Sequence, residues 1–171
     1  MSDILILYST VDGQTLKICR RLQDIAERAG HRVIVADIEN HDAFRASHFD
    51  AVVVGASIRY GRHRPSVARY MRDNREAVKA FFTVNIVARK PAKNAPDTNP
   101  YMRTLLKQIG WRPPRLAVFA GRLDYPSYGF LDRNLIRFIM LLTGGPTDPR
   151  GVFEFTEWGK VDEFAHQICE P

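Results

Sequence analysis

The sequence predicts an α/β domain in which five parallel strands form a doubly wound sheet. Five short apolar segments alternate with helical patterns along the chain, as in a domain built from β–α–β units. The segments are apolar at successive positions, which is typical of strands covered on both faces. The 171 residues are enough for one domain with a sizeable core, so we expect a single domain over residues 1–171.

The predicted strands are short apolar segments bounded by polar or turn-forming residues. They cover residues 4–8, 33–36, 51–55, 81–84 and 116–120. The helical patterns between them can carry the crossovers that parallel strands require.

Three helices are predicted from apolar spacing and end signals. Residues 15–29 carry apolar side chains at helical spacing and are followed by Gly30, a natural helix stop. Residues 65–79 begin with a proline, which is favoured in a first helical turn. The last helix covers about residues 157–169.

Two long connections, about 89–115 and 122–151, exceed what a minimal five-strand domain needs, so we predict insertions after strands 4 and 5. Connections of this length usually carry function. Both leave the carboxyl ends of strands, where doubly wound sheets bind their ligands.

The charge and composition of the chain limit the kinds of partner it can bind and the cellular compartment in which we expect it. The net charge of +6 and the pI of about 9.6 suit nucleic acid, anionic lipid or an acidic small molecule. Nucleic acid is disfavoured because no recognition motif accompanies the basic residues. The chain enters a strand directly, without the pattern of a signal peptide, so we expect a cytoplasmic protein. The two cysteines, Cys19 and Cys169, are interpreted as reduced thiols.

The turn between the first strand and the first helix has the composition of a phosphate site. A helix N-terminus offers free N–H groups and a positive dipole end, Gly13 lets the backbone come close, and hydroxyls or an amide can donate from Thr10, Gln14 and Thr15. Ordinary N-capping is the alternative interpretation. Neither the P-loop pattern nor the G-x-G-x-x-G pattern is present, which favours a mononucleotide such as FMN.

Two further loops leave strands at the same edge. After the third strand, small residues and Tyr60 would suit a flat ring, and after the fourth strand Asn85 would bring an amide to the same crevice. The predicted cofactor-binding residues are Ser9, Thr10, Val11, Asp12, Gly13, Gln14, Thr15, Ala56, Ser57, Ile58, Arg59, Tyr60, Gly61, Asn85, Ile86, Val87, Ala88 and Arg89.

These motifs resemble the flavodoxin-like protoporphyrinogen IX dehydrogenases, which are quinone-dependent enzymes of bacterial haem synthesis. The resemblance rests on STVDGQT at 9–15, GASIRYG at 55–61 and VNIVARKP at 84–91. Three later segments extend it over nearly the whole chain: WRPPR at 111–115, LIRFIMLLTGGPTD at 135–148 and FTEWGKVDEFA at 155–165. Asp12 departs from the wider flavodoxin pattern, which commonly has a hydroxyl residue at this position. A carboxylate beside a phosphate is unfavourable unless it points away.

The resemblance implies a flavodoxin-like fold, an FMN cofactor and oxidation of protoporphyrinogen IX, with menaquinone or ubiquinone as acceptor. Arginine forks can hold the two propionates of that substrate, and Arg59 and Arg89 are the predicted substrate-binding residues because they lie closest to the flavin loops. The flavin carries the redox chemistry, and no catalytic or proton-accepting side chain was identified.

Residues 130–143 are predicted to form a helix that is apolar over most of its surface. Arg133 and Arg137 form a basic stripe at i and i+4. This helix can either pack in the core or lie on an anionic membrane with both arginines at the lipid phosphates. With a membrane quinone as acceptor, we expect a peripheral protein on the cytoplasmic face of the inner membrane. The sequence is compatible with both a monomer and a homo-oligomer.

Two other functions compete with the dehydrogenase hypothesis. One is a flavodoxin-type electron carrier without a substrate of its own, which the basic charge and the long insertions disfavour. The other is an NAD(P)H:quinone reductase, which a comparison of electron donors would distinguish.

Overall fold

The computed structural model describes residues 1–170 and contains the predicted parallel sheet. Its strands lie in the order β2-β1-β3-β4-β5. They are β1 (Asp3–Ser9), β2 (Arg32–Asp37), β3 (Ala51–Ser57), β4 (Val78–Val84) and β5 (Arg115–Phe119). The reversal of strand order beside β1 creates the crevice in which such sheets bind ligands.

Two helix pairs cover the sheet. On one face α1 (Gln14–Arg28) packs against α5 (Trp158–Cys169), and on the other α2 (Pro65–Asp73) packs against α3 (Pro100–Ile109). Successive residues of β1 point to opposite faces, so that Ile4 and Ile6 join one core and Leu5 and Leu7 the other. This two-sided burial explains why β1 reads as an unbroken apolar run.

Helix α2 is shorter than predicted, because residues 78 and 79 belong to β4. Asn74 ends the helix, and both its backbone N–H and its side-chain amide donate to the carbonyl of Tyr70, each at 3.0 Å. Val78 then pairs with Val52 of β3. Pairing across the sheet therefore overrides the local helical pattern.

The connection 89–115 contains α3, which the sequence analysis did not predict. The helix begins after Asn99, whose side chain accepts hydrogen bonds from the N–H groups of Tyr101 and Met102. It ends at Gly110, which has a φ of 76°. The segment is therefore the regular crossover between β4 and β5 rather than an addition to it.

The second long connection, 122–151, forms a separate unit against the edge of the domain. It holds β6 (Arg122–Asp124) and α4 (Phe130–Thr143), and β6 pairs antiparallel with the following β7 (Val152–Glu154). Leu123, Tyr125 and Met140 form a small core of its own.

Helix α4 is not a core helix. Of its fourteen residues, all described, only Met140 is buried, and the exposed large apolar side chains are 43 to 81% accessible. Those side chains are Phe130, Leu131, Leu135, Phe138, Ile139, Leu141 and Leu142. Among residues 1–170, no helix is long and apolar enough to cross a bilayer.

The two arginines of α4 do not lie on its outer side, where the membrane-bound alternative would have them. Arg133 donates to the carbonyl of Tyr128 at 3.1 Å, and Arg137 donates to that of Thr147 at 2.8 Å. Both bonds are partly buried and tie the helix to its flanking loops. The exposed apolar surface of α4 therefore carries no basic stripe.

Candidate functional site

A cavity of about 410 Å³ lies at the carboxyl edge of the sheet, where sheets of this kind bind ligands. The three predicted loops line most of it. From these loops the lining residues are Thr10, Val11, Asp12, Gln14, Thr15, Ser57, Ile58, Arg59, Tyr60, Gly61, Asn85, Ile86 and Val87.

The first loop runs from the end of β1 to the start of α1. Gly13 occupies the N-cap position with a φ of 80°, and no side chain of residues 1–170 caps the helix there. The Thr10 hydroxyl accepts a hydrogen bond from the Gly13 N–H at 3.0 Å. The first N–H groups of α1 therefore face the cavity side with the positive end of the helix dipole, as an anion site requires.

Thr15 shows that this loop suits a bound phosphate. The residue lines the cavity and is fully buried, yet its hydroxyl oxygen has no hydrogen-bond partner within residues 1–170. An unpaired buried hydroxyl costs free energy, so it marks a position where a ligand oxygen completes the structure. Arg64 adds positive charge nearby by donating to the Thr10 carbonyl at 3.3 Å.

Gln14 was predicted to donate to the phosphate, and in the structure its side-chain amide has other partners. Its side-chain amide donates to Glu154 at 3.1 Å and to the Thr156 hydroxyl at 2.9 Å. These bonds tie the start of α1 to the end of β7 and to the chain that follows it. Gln14 therefore borders the cavity, while its side-chain amide holds α1 against the end of β7.

The second loop makes a tight hairpin at the end of β3. Arg59 and Arg62 exchange backbone hydrogen bonds at 3.0 and 3.2 Å, and the two residues between them, Tyr60 and Gly61, have φ values of 48° and 78°. Two successive positive φ angles are the mark of a type I′ turn. A tyrosine rarely adopts this conformation, so other contacts must hold it.

Those contacts come from α4. The Tyr60 hydroxyl donates to Asp132 at 3.0 Å, and Arg59 donates to the other oxygen of the same carboxylate at 3.1 Å. The Arg59 guanidinium also lies 5.0 Å from the centre of the Tyr60 ring. The hairpin and the first turn of α4 thus meet across the mouth of the cavity.

Two small residues at the end of β3 have packing roles instead of admitting a flat ring. A side chain at Gly55 would meet the Phe82 ring at 2.2 Å, so the glycine makes room for that core residue. Ala56 is fully buried in the core under α2 and lies outside the cavity lining. Ser57 is the first residue of this loop that reaches the cavity.

Three other predicted cofactor residues also lie outside the lining. Ser9 is buried, and its carbonyl accepts a hydrogen bond from Ser57 at 3.4 Å. Gly13 shapes the first loop through its backbone, and Ala88 is buried with its N–H on the Asn85 side chain at 3.1 Å. These residues build the loops and do not line the cavity.

Asn85 is a junction in the third loop. Its side chain accepts from Ala88, and it exchanges hydrogen bonds with Asn99, the residue that caps α3, at 3.1 and 3.4 Å. Its amide is therefore committed to the fold, and the chain that follows presents Ile86 and Val87 to the cavity.

Arg89 was predicted to bind substrate, and in the structure its side chain has other partners. Its guanidinium donates to the carbonyl and the hydroxyl of Thr143 at 3.0 and 2.9 Å, and to the carbonyl of Ile86 at 3.3 Å. The side chain therefore anchors the end of α4 and lies outside the cavity lining. A cation near the last carbonyls of a helix is favourable, which explains this position.

The remaining wall of the cavity was missed by the sequence analysis. It consists of Val84, Tyr101, Gly121, Arg122, Leu123, Tyr128, Asp132, Leu135, Ile136, Ile139 and Met140. Helix α4 contributes an acidic residue in its first turn and aliphatic side chains after it. The signal was present in the sequence, because α4 is apolar on more than the one face that burial alone would need.

The pKa of Asp12, at the mouth of the cavity, depends on its burial and on several neighbouring groups. Burial raises the pKa of its carboxyl above the usual value, whereas the Arg59 charge and a hydrogen bond from the Tyr128 hydroxyl lower it. The carboxylates of Asp124 and Asp132 raise it further. The carboxyl of Asp12 is thus coupled electrostatically to Tyr128 and Asp124 in the 121–128 loop as well as to Arg59.

Comparison with known proteins agrees with this geometry. A family model described as a flavodoxin domain matches residues 5–150. Protoporphyrinogen IX dehydrogenase (quinone) of Escherichia coli strain K12 is 40% identical, over 96% of this chain and 93% of that protein. The protein of the same name from Leishmania major is also 40% identical, over 96% of this chain and 74% of its own length.

A solved structure shares the fold at much lower identity. Rubredoxin oxygen:oxidoreductase from Desulfovibrio gigas aligns with a TM-score of 0.52 and 14% identity, over 98% of this chain and 35% of its own. The chain described here therefore belongs to the flavodoxin domain family and, within it, to the family of quinone-dependent protoporphyrinogen IX dehydrogenases.

Proposed function

We propose that this protein oxidises protoporphyrinogen IX to protoporphyrin IX, with FMN as cofactor and a quinone as electron acceptor. The observation that carries the proposal is the 40% identity, over 96% of the chain, to relatives named for this reaction. The cavity supports it, because it joins a phosphate loop to a large apolar wall.

FMN is the cofactor of the flavodoxin fold, and the residues of the cavity fit it. The Thr15 hydroxyl and the first N–H groups of α1 would hold its phosphate, while the loop 57–61 and the pair Ile86 and Val87 would border its ring. The chemistry that bound FMN would supply is the transfer of electron pairs from the substrate to the acceptor.

Arg59 is the proposed partner of a substrate propionate. Its guanidinium stands at the mouth of the cavity and is about half exposed. The planar guanidinium can hold a carboxylate through two parallel hydrogen bonds. It already holds the carboxylate of Asp132, so a propionate would share or replace that contact.

The outer face of α4 is the proposed membrane contact. It presents seven large apolar side chains, the two arginines of the helix bind the carbonyls of Tyr128 and Thr147, and the chain as a whole carries a net charge of +6. A helix of this kind lies at a bilayer surface with its apolar face in the acyl boundary, and positive charge adds attraction to anionic lipid. We place the protein on the cytoplasmic face of the inner membrane, where a membrane quinone is within reach.

Turnover by the purified protein tests the proposed function. Without oxygen, protoporphyrinogen IX should be converted to the fluorescent porphyrin only when FMN and a quinone are both present. NADPH in place of the porphyrinogen should leave the quinone oxidised. Reduction of the quinone by NADPH alone would identify a quinone reductase, and an inactive FMN protein would indicate an electron carrier.

A further inference from the structure

The cavity and the outer face of α4 share two side chains. Leu135 and Ile139 line the cavity, yet they remain 47 and 43% exposed on the outside of the helix. Ile136 and Met140, the residues that follow them in sequence, lie deeper on the cavity side. The apolar wall of the cavity is therefore continuous with the apolar outer face.

The polar groups of the mouth lie on other elements or at the start of α4. Asp12 and Arg59 belong to the loops after β1 and β3, Arg122 belongs to β6, and Asp132 is in the first turn of α4. Beyond that turn, the cavity-lining side chains of α4 are Leu135, Ile136, Ile139 and Met140. A hydrocarbon chain could thus follow α4 from outside to inside without displacing a charged group.

The acceptor in the proposed function has the shape that such a path fits. A membrane quinone combines a polar ring, which must approach the cofactor, with a long hydrocarbon tail. A cavity of about 410 Å³ that also admits part of a flavin has no room for that tail. The tail must therefore leave the cavity, and burying it against aliphatic side chains or lipid is favourable.

We propose that the cavity opens sideways onto the apolar face of α4, and that the tail of the quinone passes between the protein and the bilayer over Leu135 and Ile139. This inference rests on the proposed function and specifies where the acceptor enters. The two residues, here called the rim, would then distinguish acceptors by their tails and not by their ring chemistry.

The test compares two double variants in uncharged detergent micelles, so that binding to anionic vesicles plays no part. The rim variant is Leu135→Asn with Ile139→Asn. The matched control is Val152→Asn with Ile34→Asn, which are 50 and 43% exposed and lie outside the cavity lining. FMN content and thermal melting of each variant show that the fold is intact.

The rim variant should lose at least tenfold in kcat/KM for a quinone with a long isoprenoid tail, and less than twofold for the same ring without a tail. The control should keep both values. Equal use of the tailed quinone by rim variant and control would overturn the proposal. So would an equal loss in Leu142→Asn, because that side chain lies on the outer face alone.

Failure of this inference is distinguishable from failure of the proposed function. If the wild type oxidises protoporphyrinogen with the tailless quinone, the proposed function stands whatever the rim variant does. A raised KM for porphyrinogen, with the tailed quinone used normally, would assign the rim to the substrate and overturn its assignment to the acceptor.

Discussion

The loops at the edge of the sheet and the segment around α4 form one cavity but are built differently. The phosphate loop follows β1, in which Ile4, Leu5, Ile6 and Leu7 are all buried. Helix α4 buries Met140 and is otherwise held mainly by arginine bonds to loop and helix-end carbonyls. The loops at the edge of the sheet, here called the cofactor side, are thus fixed by the core. The segment around α4, here called the access side, is held from outside the core, so we expect substitutions there to leave the fold intact.

The largest expected difference between the two regions is in stability. Phe82→Ala should lower the free energy of unfolding by about 3–5 kcal/mol, because the ring is fully buried and packs over Gly55. Phe138→Ala on α4 should change it by no more than about 0.5 kcal/mol, because that ring is largely exposed. Urea unfolding of both variants makes the comparison, and similar losses would show that α4 is part of the core.

The next effect concerns the membrane. Leu131→Asp with Leu142→Asp should weaken binding to anionic vesicles by about a hundredfold, since burying two leucines contributes about 3 kcal/mol and added negative charge is repelled. Sedimentation with vesicles measures this, and the FMN content should stay unchanged.

The matched control for the membrane variant is Arg133→Gln with Arg137→Gln. These side chains bind the carbonyls of Tyr128 and Thr147, so their loss should lower the melting temperature and largely spare vesicle binding. Unchanged sedimentation of the leucine variant would contradict the membrane contact. A dimer in solution that is lost in the leucine variant would assign the face to a second copy of the chain.

His63, which packs against β4, should make the free energy of unfolding depend on pH. Burial against Phe81 and Thr83 lowers the pKa of its imidazole to about 4. The unfolded chain takes up this proton near pH 6.5 and the folded chain only near pH 4, so stability is lost as pH falls through that window. Unfolding at pH 5 should cost about 2 kcal/mol less than at pH 7 through this group. In His63→Gln the difference should shrink accordingly, and an unchanged pH dependence would contradict it.

Replacing Thr15 should have two smaller effects of opposite sign, one on the stability of the FMN-free protein and one on FMN binding. Thr15→Val removes a buried hydroxyl that has no partner within residues 1–170, so the FMN-free protein should be about 1 kcal/mol more stable. FMN binding should weaken by about 1 kcal/mol or more, because a bond to a charged phosphate is lost. Fluorescence titration with FMN and urea unfolding give the two values. A variant that binds FMN as tightly as the wild type would remove Thr15 from the site.

The sheet could be predicted from the sequence because its signal is local. The three central strands β1, β3 and β4 are buried on both faces and leave clear apolar runs, the edge strands β2 and β5 leave shorter ones, and residues 9–15 show the phosphate loop directly. The end of α2 and the presence of α3 were not predictable in this way. Pairing of Val78 with Val52 and the cap from Asn99 depend on partners outside the local pattern.

The roles of single polar side chains were the least predictable part of the site. Gln14, Arg89 and Arg137 all have the chemistry of ligand-binding residues, yet each is committed to another part of the fold. The partner of Arg89 lies 54 residues away in sequence, and that of Gln14 lies 140 away. Composition near a loop therefore indicates which groups are close to a site, but only the fold shows which remain free.

The most direct test of the division between the two sides is the reduction of bound FMN by protoporphyrinogen IX without oxygen. Ile136 lies on the cavity side of α4, away from the phosphate loop. In Ile136→Asn the protein should keep its FMN and its fold, while reduction by porphyrinogen slows at least tenfold relative to wild type. Loss of FMN from this variant, or reduction at the wild-type rate, would contradict the account.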